Sequence, residues 1–194
     1  TQHTSYIIHT PHTHTHTKKQ KKKSAEYIMG LCSSINVKMI DNPLDDDKKK
    51  IPQPQTKEAL QTMLEKYNES KKSYGEPNTW DVTLVTDMSE LFFEMEKFNA
   101  PIDQWNTSEV TNMSAMFACA SSFNQPITMD TSQVTDMSNM FCGASSFNQP
   151  ITMDTSKVVN MRCMFQEASS FNQPLTMDTS NVINMRSMFN GASS

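Results

Sequence analysis

Four valines, Val110, Val134, Val158 and Val182, stand 24 residues apart. Met113, Met137, Met161 and Met185 keep that interval, as do Phe123, Phe147 and Phe171. A fixed period between roughly 20 and 50 residues constrains the fold more than any other feature. One unit cannot bury its own apolar face, so the units must stack and share an interior. A fainter copy comes first: Trp80 to Gln104 holds Val85, Met88 and Phe98 in the same order, with one extra residue before Trp105. The units are therefore 80–104, 105–128, 129–152 and 153–176, followed by a partial unit over 177–194.

Within a unit, Val110-Thr-Asn-Met alternates and predicts a short strand with Val110 inward. An Asp or Asn sits two residues after each such valine, at Asp87, Asn112, Asp136, Asn160 and Asn184. That is the place of an N-cap, whose side-chain oxygen accepts free amides of a first helical turn. Met113, Met116, Phe117 and Ala120 then fall at i, i+3, i+4 and i+7, one face of a helix. The set returns as Met137, Met140, Phe141 and Ala144, and as Met161, Met164, Phe165 and Ala168. Gly143 and Gly191 are placed to end such helices. Phe123 to Met129 reads as an extended piece, kept short by Pro126, which has no amide hydrogen. The expectation is an α/β solenoid of strand, short helix and extended segment, with Val, Met, Phe and Ile of successive units forming continuous inner columns.

Polar residues also recur. Asn99, Asn124, Asn148 and Asn172 predict an inward amide ladder, since buried polar groups need partners. Asp130, Asp154 and Asp178 suit turn caps better than calcium ligands, because Asn106 takes the same place in an earlier unit. Of the 16 methionines, 13 follow Trp80. Each is on the apolar face, so they read as gap-filling core rather than a copper site. Cys119, Cys142 and Cys163 occupy different places in their repeats, and with Cys32 they form no C-x-x-C pair, so neither a disulfide framework nor a zinc site is expected. No cofactor is called for.

Residues 1–56 read as a low-complexity, disordered tail. Its Thr-His alternation and Lys/Gln run are what simple nucleotide repeats encode, so the opening reads as translated leader, and a His-rich metal-binding tail is the weaker alternative. MGLCSS, from Met29, fits an N-myristoylation pattern with Gly30 as acceptor and Cys32 as the site of a second acyl chain, should translation start at that methionine. Membrane attachment would then run through those lipids alone, since no stretch is apolar enough to span a bilayer and no secretory signal is visible. Thr56 can cap a helix running from Lys57 to about Lys71, with Ala59, Leu60, Met63, Leu64 and Tyr67 on one face. With the turn at Tyr74, Gly75 and Pro77, residues 57–79 make a cap for the first unit.

At this point the residues resemble a known family. FNAPIDQWNTSEVTNMSAMF (98–117) is similar to the repeat of roughly 26 residues in bacterial surface proteins grouped with the BspA-like leucine-rich-repeat proteins. The resemblance covers residues 80–194, with Met129, Met153 and Met177 where the family has tryptophan, and with shorter units. It implies a leucine-rich-repeat-like solenoid, a cell-surface or membrane-associated setting, and adhesion or protein binding. It carries over no catalytic residue.

From Trp80 onward there are 12 acidic and 4 basic residues, a net of −8, against a net of +4 over residues 1–79. That sign opposes phosphate binding, so nucleic acid is not an expected partner. All five histidines lie within residues 1–16, and no nucleophile, phosphate-loop or metalloprotease motif occurs, so an enzyme is not expected. A non-enzymatic scaffold binding a protein or glycan is. Regular Thr128, Thr152, Thr176 and Gln125, Gln149, Gln173 columns leave a periodic ligand, glycan or ice, as an alternative. Variation between units marks the candidate face: Thr111, Thr135, Val159 and Ile183, which turn apolar toward the C-terminus, and Ala115, Asn139, Cys163 and Ser187. Because the sequence stops at GASS, before the next FNQP, further units are expected to follow.

Overall fold

The computed structural model describes residues 30, 32–42, 50–70 and 74–192. The leader reading, and the end of the capping helix at Lys71, fall outside them. Described residues begin earlier in the fold than a tail over 1–56 allows. Strand β1 (Val37–Asp41) pairs antiparallel with β2 (Lys50–Pro54), in the register Val37 with Pro54 and Ile40 with Ile51. A two-stranded hairpin is marginal alone. This one leans on the repeats: the Asp81 amide donates to the Pro52 carbonyl at 3.0 Å and Gln53 Nε2 donates to Asp81 Oδ2 at 2.6 Å. Val37, Pro52 and Pro54 are buried. The tail boundary is thus corrected, and the hairpin joins the N-terminal cap.

Helix α1 spans Lys57–Ser70. The Thr56 hydroxyl accepts the Ala59 amide at 3.2 Å, and the five apolar side chains of its inner face are all buried. Tyr67 meets Trp80 and Phe98 edge-on, at 6.3 and 6.4 Å. Its hydroxyl donates to Glu76 Oε2 at 2.8 Å. Burial first, then that carboxylate, push the phenol up to about 12. A short 3-10 turn, Pro77–Thr79, follows. Around it the indoles are pinned, Trp80 Nε1 to the Tyr74 carbonyl and Trp105 Nε1 to the Pro77 carbonyl.

The repeats depart from expectation in one respect. Among the described residues no α-helix lies beyond Ser70, so the predicted short helices are absent. Their apolar spacing is met by two successive tight turns. Each is closed by a residue in the left-handed region: Glu90, Ala115, Asn139, Cys163 and Ser187 at the first corner, Glu94, Cys119, Gly143, Glu167 and Gly191 at the second. Positive φ stops a right-handed helix after a few residues. The amides show where the bonding went. Met116, Ala118 and Ala120 donate three residues back, while Met113, Ala115, Phe117 and Cys119 donate to Asp136, Ser138, Met140 and Cys142 of the next unit. The pattern repeats at 137–143 and 161–167. Bonds that a helix would keep within itself instead tie each unit to its neighbour.

The expected strands are reduced to single parallel bridges, Asp87 to Asn112, Asn112 to Asp136, Asp136 to Asn160 and Asn160 to Asn184, with Ile127 to Ile151 in the extended piece. The Asx oxygens do cap, but they cap turns. Asp87, Asn112, Asp136, Asn160 and Asn184 each accept the amide two residues on, at 2.8–3.2 Å.

Inside, Val110, Met113, Met116, Phe117 and Phe123 are buried, as are Val134, Met137, Met140, Phe141 and Phe147, and Val158, Met161, Met164, Phe165 and Phe171. Phe92, Phe117, Phe141, Phe165 and Phe189 stack in one column, 4.9–5.6 Å between ring centres and within 8° of parallel. Phe98, Phe123, Phe147 and Phe171 make a second at about 6 Å. In the last unit Val182 is half-buried and Met185 exposed, a departure from their core assignment. Each side chain in these columns is covered by the unit after its own. A polar column was missed from the sequence: Thr107, Thr131 and Thr155 are buried, and each hydroxyl donates to the next unit's Asp carbonyl (Asp130, Asp154, Asp178) at 2.9 Å.

Left-handed corners make a stability prediction. An L-residue there costs roughly 1–2 kcal/mol that glycine avoids. Glu167→Gly is expected to stabilise by about 0.5–1 kcal/mol, and Gly143→Ala to destabilise by at least about 1 kcal/mol, the added Cβ meeting Cys119 Sγ at 3.4 Å. Urea midpoints read both; shifts of the same sign would contradict the assigned backbone.

Candidate binding face

Each inward valine has an exposed residue on either side, the preceding one in a tight turn that the valine's own amide closes, as Val110 N–H does on the Thr107 carbonyl at 2.9 Å. On the C-terminal side these are Thr86, Thr111, Thr135, Val159 and Ile183, all exposed. Their backbones form a ladder: Thr111 N–H donates to Thr86, Thr135 to Thr111, Val159 to Thr135 and Ile183 to Val159, each at 2.9 Å. Exposure reaches 85% at Ile183. The predicted column Thr111, Thr135, Val159, Ile183 is therefore one continuous outward row. Thr86 extends it by a rung that the sequence reading missed, because the extra residue of the first unit puts it 25 rather than 24 positions from Thr111.

On the other side of the valines stand Leu84, Glu109, Gln133, Lys157 and Asn181, also exposed. This second row was not picked out, although its variation from unit to unit is the very signal used for the first. Its members touch: Lys157 Nζ donates to Gln133 Oε1 at 2.8 Å. The two rows lie on one face, apolar and basic toward its C-terminal end.

Ala115, Asn139, Cys163 and Ser187 do not join that face. They are the first left-handed corners. Cys163 is buried, Ala115 and Asn139 are half-buried, and only Ser187 is open. The four share a column because the turn demands positive φ there. Cys32 is likewise buried, and burial raises its thiol pKa. Such a thiol is not presented for acylation, while Gly30 is exposed.

The asparagine ladder exists but faces outward. Asn99, Asn124 and Asn148 Oδ1 each accept the next asparagine's amide at 2.9–3.0 Å and a Gln125, Gln149 or Gln173 side-chain amide at 3.1–3.2 Å. Asn99 and Asn172 are exposed and Asn124 and Asn148 half-buried. The glutamine column is thus occupied by its own ladder. Beside it an open groove of about 560 Å³ is lined by Thr128, Thr152, Pro126 and Pro150 among others. Asp130, Asp154 and Asp178 accept the amides of Ser132, Ser156 and Ser180 at 2.9 Å. Hydrogen bonds from amide and hydroxyl of Ser132 and Ser180, and from hydroxyl and amide of Ser156, hold the three carboxyls below the usual range. Among the described residues no group of three or more His, Cys, Asp or Glu is placed to hold a metal ion.

The family model described as "Mycoplasma protein of unknown function, DUF285" matches residues 58–153 and 127–194. The two stretches overlap, as a repeated sequence allows, and together they span the capping helix and every unit. The chain belongs to this family. No curated protein and no solved structure matches it.

Proposed function

We propose that this chain is a non-enzymatic binding scaffold, a leucine-rich-repeat-like solenoid of the BspA-like kind, whose valine-flanking face takes a protein ligand. One observation carries the reading: two rows of exposed side chains flanking the valines, the first held by a backbone ladder, in which polarity and charge change from unit to unit while the core columns stay constant. A rigid frame with variable outward positions is what partner discrimination needs. The apolar end at Val159 and Ile183 supplies area to bury, and Lys157 a charge to orient the ligand. A surface setting follows from the resemblance and is part of the same proposal.

The test is a binding screen of the full chain against extracellular proteins and a glycan array, followed by Val159→Glu and Thr135→Lys. Both side chains are exposed, so folding is expected to be unchanged and affinity to fall at least about tenfold. Ligands that bind both variants like the parent would refute this face. Glycan binding lost on changing Thr128 and Thr152 instead would favour the groove, the second reading.

A further inference from the structure

Cys119, Cys142 and Cys163 sit at different repeat positions, yet the fold brings Cys119 beside Cys142. The Cys119 amide donates to the Cys142 carbonyl at 2.7 Å. That bond, with the covalent geometry on either side, holds the two Cα atoms within about 6.6 Å. Disulfides span roughly 4.4–6.8 Å between Cα atoms. Cys119 Sγ lies over residue 143, the immediate neighbour of Cys142, and reaches within 3.4 Å of where a Cβ would stand there. Residue 143 is glycine, so the sulfur rests against bare backbone beside Cys142. All three thiols are free; Cys119 is exposed, Cys142 half-buried and Cys163 buried. Burial raises the Cys142 thiol pKa, and proximity to Cys119 and Cys163 raises it further.

We propose that Cys119 and Cys142 are a reversible thiol pair that closes into a disulfide between neighbouring units on exchange with a low-molecular-weight disulfide. Exposed Cys119 reacts first. Its thiolate attacks one sulfur of the external disulfide, forming a mixed disulfide and releasing one thiolate, which takes up a proton. Cys142 then gives its proton to solvent and attacks Cys119 sulfur. The mixed bond breaks and a second external thiolate leaves. Two protein thiols are oxidised and one external disulfide is reduced to two thiols; excess thiol reverses both steps. Closure staples unit 105–128 to unit 129–152 at the corner where each already bonds the other.

The experiment treats the full chain with oxidised glutathione, then alkylates free thiols and maps peptides without reduction. The expected product is a Cys119–Cys142 cross-link with Cys163 alkylated. Cys163→Ser is expected to keep the link. Cys119→Ser and Cys142→Ser are expected to lose it, the latter stopping at a glutathione adduct on Cys119. The folded chain is expected to close at least about tenfold faster than the urea-unfolded chain, since the fold sets the encounter. A Cys142–Cys163 link, an intermolecular link through Cys119, a lasting adduct on Cys119 in the parent chain, or equal folded and unfolded rates would each overturn the proposal.

Discussion

Phe141→Ala is expected to cost about 3–5 kcal/mol, the range for removing a buried ring. Phe141 is fully buried, with Phe117 and Phe165 stacked above and below it at 5.5 and 5.4 Å and Phe147 alongside at 4.4 Å. Three partners lose contact at once. Phe141→Leu keeps most of the apolar volume and loses only ring geometry, so about 1–2 kcal/mol is expected. Phe189 occupies the same column but is 49% exposed, with Phe165 as its stacked partner. Phe189→Ala should therefore shift the urea midpoint clearly less than Phe141→Ala. Equal shifts would mean that the rings do not form a shared interior.

Deletions test register more severely. Removing residues 129–152 joins Thr128 to Met153 and restores the sequence ITMDTS across the junction. Phe117 then faces Phe165, and Thr111 faces Val159, as each now faces its nearer homologue. The shortened chain is expected to fold with the same circular dichroism per residue and with lower stability, because a stacked array loses one unit and one interface. Removing residues 129–140 instead sets Val110 against Ser146, Met113 against Gln149 and Met116 against Thr152, so three apolar columns meet polar positions. Cooperative unfolding is expected to vanish altogether. Pattern shifts that move a whole apolar set to the wrong face leave nothing to compensate. A half-unit deletion that still melts cooperatively would show that the units fold as separate beads.

The interior was legible because it depends on recurrence alone. Val, Met and Phe at fixed spacing must share columns whatever the backbone does between them. The capping helix was equally plain, since Thr56 and five apolar residues at helical spacing admit few alternatives. What failed was the local conformation after each Asx cap. Apolar residues at i, i+3, i+4 and i+7 also suit two tight turns, and the apolar spacing alone does not announce the difference. Ala115, Cys119 and Glu167 are poor left-handed residues, so only Asn139, Gly143 and Gly191 hinted at it. The same blindness hid the thiol corner: repeat position separates Cys119 from Cys142, while the turn brings them together. Buried Thr107, Thr131 and Thr155 went unnoticed because threonine beside serine reads as surface turn. The hairpin at 37–54 was lost in the composition of its flanks, where a run of Asp and Lys separates two short alternating segments.

Every inter-unit bond described here joins a unit to the one directly before or after it. The arrangement acts as a ruler. Adding or dropping 24 residues changes its length by one strand spacing, about 4.8 Å, while all other graduations keep their marks. Selection on reach and selection on what each graduation displays can then proceed independently, the first through gene-level slippage of whole copies and the second through single substitutions beside the valines.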